Sequence, residues 1–182
     1  MTSMNEKVEK GIQFGISLIG TPYDWWRCGE NQRDAPMFAK NGPCPPNNEI
    51  KTCNCVGLTN LMLRSVGNTL PYSDIDIGWT ESYAIYYKKK NVIKDFNVDI
   101  TYPRGSLLIR DYKDIYNPGH LAVILESIGK KSKILHSITS QQMNDNVKYY
   151  LPGVNNNDTI EQSHKFFQYE YVVLPNKWLG IN

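Results

Sequence analysis

The chain has 182 residues, enough for one domain whose core needs neither metal nor disulfide to hold it. A formal net charge of +2 and one short basic run, Lys88-Lys89-Lys90, give no footprint for nucleic acid or an acidic partner. No apolar tract is long enough to span a membrane, and Asn5, Glu6, Lys7, Glu9 and Lys10 interrupt what would be a signal core, so a cytoplasmic protein is expected.

In chain order, Met4, Val8, Ile12, Ile16 and Ile19 fall on one stripe and predict an amphipathic helix over residues 4 to 19. Gly20-Thr21-Pro22 ends it. Gly11 and Gly15 weaken such a helix by about 1 kcal/mol each unless another element packs closely there. An aromatic cluster follows, Tyr23-Asp24-Trp25-Trp26, read either as a core anchor or as the lining of a cleft in which the Tyr23 hydroxyl holds substrate. Residues 27 to 52 carry Pro36, Pro43, Pro45 and Pro46, a density that forbids a regular helix or central strand. A connection this long is expected to be an insertion that walls a cleft.

Asn54 then caps a second helix, with Leu58, Leu61, Met62, Ser65 and Val66 on its buried face and an end near Gly67. Thr80 opens a third helix that runs to about Lys90. From residue 105 the pattern changes to strands at 105–110, 120–126 and 133–138, with Gly129 in the turn between the last two. A short strand at 146–150 and a last one at 166–174 follow, separated by a polar surface loop over 151–165. Helices first and strands after predict a single α+β domain over 1–182, with helices packed on an antiparallel sheet.

The chemistry centres on Thr52-Cys53-Asn54-Cys55-Val56-Gly57-Leu58. Cys55 falls in the first turn of the second helix, where free N–H groups and the helix dipole favour an anion and are expected to lower the thiol pKa. Read alone, Cys55 also fits a small buried apolar residue. Cys28, Cys44, Cys53 and Cys55 are separated by 15, 8 and one residue, which is not the paired spacing of a zinc site. No metal or cofactor is expected, and the thiols are expected to be free.

His120 and His136 lie on consecutive strands of one predicted hairpin, while His164 falls in the polar loop. An even register between the strands puts His120 and His136 on one face; an odd one separates them. A thiol hydrolase needs a thiolate, an imidazole within reach and a group that orients the imidazole. Cys55, His120 and His136 supply one candidate for each, and the backbone N–H of Cys55 offers a donor to the oxyanion.

The order of motifs resembles the NlpC-like cysteine peptidases of bacterial cell-wall turnover, which have a papain-like fold and cut peptides containing D-amino acids. The residues that carry the likeness are Gly20-Thr21-Pro22-Tyr23, the Cys55-Val56-Gly57-Leu58 helix start, Gly119-His120-Leu121-Ala122-Val123-Ile124-Leu125 and Ile134-Leu135-His136-Ser137. Pro103-Arg104-Gly105-Ser106-Leu107-Leu108 matches a further family strand loosely. The resemblance covers about residues 5 to 140 and implies Cys55 as nucleophile, His120 as base and His136 as orienting residue. It also implies substrate contacts for Tyr23, Asn54 and Val56, and Trp26 stands where the family has a glycine-rich turn.

Asn54 replaces the family's usual Asp, and Val56 its usual Ser. Asn keeps the cap and loses the negative charge that attracts the free amine of a stem peptide. The expected substrate is therefore a peptide or small amide other than an ordinary stem peptide. Two further readings remain open: an acyltransferase or thioesterase, which Val56, Trp25 and Trp26 would suit, and a binding module that has lost catalysis.

Overall fold

Helix α1 (Met4–Ser17) begins at a reciprocal cap. The Ser3 hydroxyl accepts from the Glu6 N–H while the Glu6 carboxylate accepts from the Ser3 N–H. The computed structural model describes residues 3–24, 42–71, 80–114, 119–139 and 152–180. Gly11, Ile12 and Gly15 are the buried positions of α1. A Cβ on Gly15 would stand 2.8 Å from the Met62 sulfur and 2.8 Å from a Leu135 methyl. The glycines thus bring α1 against its neighbours, and close packing offsets their low helix propensity.

Helix α2 (Cys55–Ser65) is the central element, with every residue from Cys55 to Leu63 buried. Helix α3 (Thr80–Lys89) is tied to it by the Tyr83 hydroxyl, which donates to Asn60 Oδ1 at 2.6 Å. Among the described residues no helix is long and apolar enough to cross a membrane.

Six strands follow: β1 (Ile93–Asp95), β2 (Leu107–Arg110), β3 (His120–Ile124), β4 (Ile134–Ile138), β5 (Gly153–Asn155) and β6 (Tyr171–Val173). They form one sheet in the order β1-β6-β2-β3-β4-β5, every pair antiparallel. Its middle strands read as near-continuous apolar runs because both faces are covered. Leu107, Ile109, Leu121, Val123 and Leu135 join the helical core of Ile12, Leu58, Leu61 and Met62. Leu108, Ala122, Ile124, Ile134 and Ile138 point the other way, onto Ile160 and Phe167 of helix α4 (Ile160–Phe167) and onto Tyr169. A short helix α5 (Pro175–Trp178) closes the chain's return, and the Trp178 indole donates to the Gly105 carbonyl at 2.7 Å.

The α+β class, the antiparallel sheet, the first three helices and the three central strands agree with the sequence expectation. The C-terminal third differs. Residues 151–165 hold β5 and the start of α4 instead of a surface loop. Phe166 and Phe167 belong to α4, and the last strand is confined to Tyr171–Val173. Helices therefore also follow the strands and cover the far side of the sheet. Strand β1, three residues long with Lys94 and Asp95 exposed, carried no pattern to read. The strand expected at 146–150 lies outside the described residues.

Candidate active site

The Asn54 side chain accepts from the Gly57 N–H at 2.7 Å, the N-cap that the sequence called for. It turns the chain sharply into α2, so that Cys55 occupies the first helical position. Just upstream, the Cys53 N–H donates to the Pro22 carbonyl at 3.0 Å. The turn at Gly20-Thr21-Pro22 is held from its other side by β5: Gly20 N–H donates to Val154 O, and Val154 N–H to Thr21 O, each at 2.9 Å. Gly153 makes this approach possible. Its φ of +145° and the Thr21 oxygen, 2.4 Å from where a Cβ would be, leave no room for a side chain. The Tyr23 phenol is thereby brought near both thiols. Burial raises its pKa, and charge on Cys55 would raise it further.

Strands β3 and β4 pair at Val123 with Leu135 and at Ile124 with Ile134, and the ladder stops there. The Leu125 N–H still donates to β4-side Lys133 O, so alternate N–H groups, including that of Leu121, face β4. The Cys53–Cys55 segment enters where the ladder ends. The Leu121 N–H is directed to the Cys55 sulfur, and the Ser137 hydroxyl donates to the Cys53 carbonyl at 2.8 Å. Cys55 thus meets the sheet at its opened seam instead of above its surface.

The register is even, so His120 and His136 share a face. His120 Nε2 and His136 Nδ1 are 3.2 Å apart, and both residues are buried. That face is the one covered by α4: the Phe167 ring stacks on the His120 imidazole with centroids 3.7 Å apart. Tyr169 closes the same chamber, its ring 6.2 Å from that of His120 and its hydroxyl bonded to Ser163 at 2.7 Å. The histidines thus share the face covered by α4 while the Cys55 helix packs on the other, and Cys55 and Cys53 meet the sheet at the Leu121 N–H and the Ser137 hydroxyl. Among the described residues no hydrogen bond links Cys55 to His120. The thiol instead faces the N–H of the residue that follows His120.

The electrostatics reverse one expectation. Burial pushes the Cys55 thiol up to about 11, although the N–H groups of Leu121, Val56 and Cys55 itself pull it down. The helix start is real, but desolvation outweighs it. Burial likewise holds His120 well below the usual histidine range, helped by His136 and Arg110. Burial thus favours the neutral form of both the Cys55 thiol and the His120 imidazole.

Asp158 was not singled out in the sequence. Its Oδ2 lies 3.3 Å from His136 Nε2, within ion-pair distance but off the line of a directed hydrogen bond, so that nitrogen has no hydrogen-bond partner. The readable signal is the run Asp158-Thr159-Ile160-Glu161-Gln162, in which Thr159 and Gln162 form a capping box and place Asp158 at a helix entrance. Val56 is packed in the helical core, and the Asn54 amide is used in the cap. Tyr23 is half-buried beside the thiols. Trp26, Cys28 and residues 27–41 of the insertion lie outside the described residues. The remaining part of the insertion is fastened to the helices: Arg64 donates to the Gly42 and Pro43 carbonyls, and Asn47 donates to the Ser17 hydroxyl at 2.5 Å. Cys44, Cys53 and Cys55 are free thiols. Among the described residues no group of three or more His, Cys, Asp or Glu side chains is arranged to hold a metal ion.

Against known proteins, no family model matches the chain, and no curated protein or solved structure does either.

Proposed function

We propose that the protein is a cysteine hydrolase of the peptidase or amidase type, acting through Cys55, His120 and His136. The observation that carries the reading is the opened β3–β4 seam, which sets the Cys55 sulfur against β3, the strand that bears His120 of the buried histidine pair. A gap in a ladder leaves backbone groups to be satisfied, and here the thiol takes one of them.

In this mechanism a carbonyl carbon enters beside Cys55. Because the resting thiol is neutral, His120 removes its proton as the sulfur attacks, so no preformed thiolate is required. His136 holds Nε2 of His120 and leaves Nδ1 to act as the base. The developing oxyanion is met by backbone N–H groups at the start of α2. His120 then protonates the leaving amine, a thioester remains on Cys55, and water activated by the same imidazole releases the acid.

The resemblance to NlpC-like peptidases, with their papain-like fold, supports amide cleavage as the reaction. The neutral Asn54 supports a substrate other than a free-amine stem peptide. It equally supports the acyltransferase or thioesterase reading, since an ester or thioester carries no amine to attract. The test incubates the protein with cell-wall peptides, N-acyl amides and thioesters and traps the acyl-enzyme for intact-mass analysis. A thioester adduct on Cys55, absent in Cys55→Ala, is expected. His120→Ala is expected to lower the rate by about 10²–10⁴-fold. Turnover that survives both substitutions would overturn the proposal.

A further inference from the structure

We infer that Asp158 is a positioning residue that fixes the direction of the proton relay from His120 to His136. The inference rests on the hydrolase reading for its catalytic consequence, but its structural content stands by itself.

The Asp158 carboxylate is buried, and so is the imidazole it faces. Its placement is set from two sides. Its carbonyl accepts from the Ile134 N–H at 3.1 Å, on β4 two residues before His136. The next residue, Thr159, is the cap of α4, and the Lys133 ammonium holds the Asn157 carbonyl at 2.7 Å. Strand and helix together aim the carboxylate at His136 Nε2, 3.3 Å away.

The atom of Asp158 that faces Nε2 of His136 is a carboxylate oxygen, an acceptor. It favours the tautomer with the proton on Nε2, which leaves Nδ1 with a lone pair. The atom 3.2 Å from that lone pair is Nε2 of His120, which must therefore donate. His120 in turn keeps its proton on Nε2 and presents Nδ1 as a base. Without the carboxylate, His136 can carry its proton on Nδ1 instead. His120 Nε2 would then accept, its Nδ1 would be protonated, and that ring could not take a proton from a thiol. One carboxylate thus selects one of two otherwise similar hydrogen-bond polarities.

The experiment is nitrogen NMR of the native protein labelled in its histidine rings, recorded at neutral pH. His164→Gln identifies the signals of the third histidine. The expected result is a protonated Nε2 and a bare Nδ1 on both His120 and His136. In Asp158→Asn, whose amide can donate as well as accept, the expected result is a mixed or reversed tautomer at both rings. The kcat is expected to fall by about 10²–10⁴-fold with KM little changed, as for a wrong tautomer in a catalytic triad. A bare Nε2 on His136 in the unsubstituted protein would overturn the inference without any variant having to fold, as would an unchanged pair of tautomers in folded Asp158→Asn. If no substrate is turned over by the unsubstituted protein, the hydrolase reading fails while the tautomer measurement still decides the role of Asp158.

Discussion

Cys55 is a buried thiol that burial keeps neutral at rest, so a hydrolase built on it has to remove the proton during attack. Its pKa of about 11 leaves almost no thiolate at pH 7, and Cys53, raised by burial to about 12, has less. Reactivity follows the thiolate fraction. Alkylation of Cys55 by iodoacetamide is therefore expected to be slow at pH 7 and to rise about tenfold per pH unit through pH 9.5, remaining ahead of Cys53. Peptide mapping of the native protein checks this; a rate that is flat above pH 7 would mean that a thiolate is already present. The proposed base, His120, follows the same rule. With its pKa held well below 6.5, His120 is neutral across the physiological range, so the acid limb of kcat/KM is expected below pH 6.5.

At the scale of the elements, the cap of α2 decides where Cys55 stands. The buried Asn54 side chain satisfies the Gly57 N–H, and that bond fixes where the helix, and with it Cys55, begins. Asn54→Ala removes the cap and leaves a buried N–H unpaired, at a cost of about 1–2 kcal/mol, measurable by urea denaturation. Asn54→Asp keeps an acceptor of the same shape. Its stability is expected to stay much closer to that of the parent than the Ala variant's, while its selectivity moves toward substrates with a free amine. A preference left unchanged would separate this position from substrate choice. The cap, the helix and the three central strands were legible in the sequence because each depends on local periodicity or on one short side chain. Helix α4 was not, although Ile160, Ser163 and Phe167 are its buried positions and Thr159 and Gln162 form its capping box. Its mean composition is polar and it is only eight residues long, so the surrounding asparagines outweighed the periodic signal. The pair Phe166-Phe167 suggested a strand because aromatic residues favour strands; tertiary packing against His120 overrides that preference.

For the whole molecule, the consequence is a sheet with two different sides. The even register of β3 and β4 was a condition that the sequence could state, and it holds. Which side the histidines take was not stated, because it depends on where α1, α2 and α4 dock, and docking is not local. The helical side carries the Cys55 thiol and the α4 side encloses the imidazoles, so α4 is the cover that shields the histidine pair from water. Phe167 is its main contact with His120, stacked at 14° between ring planes. Replacing it with Ala is expected to destabilise the protein by about 3–5 kcal/mol, as for other buried Phe residues, and Phe167→Leu by less. The more specific effect is on pH. His120 now has a folded pKa far below its unfolded value near 6.5, so the unfolded chain binds the extra proton first. Stability from this group is fully present above pH 6.5 and is lost as pH falls toward the folded pKa. Admitting water through Phe167→Leu raises the folded pKa toward 6.5 and narrows that window. Urea denaturation of the parent and of Phe167→Leu between pH 5 and 8 is expected to show a shallower acid-side loss in the variant. Its kcat/KM acid limb should move up in pH by the same shift. Parallel stability curves, differing by a constant offset at every pH, would show that Phe167 fills space but does not control the charge state of His120.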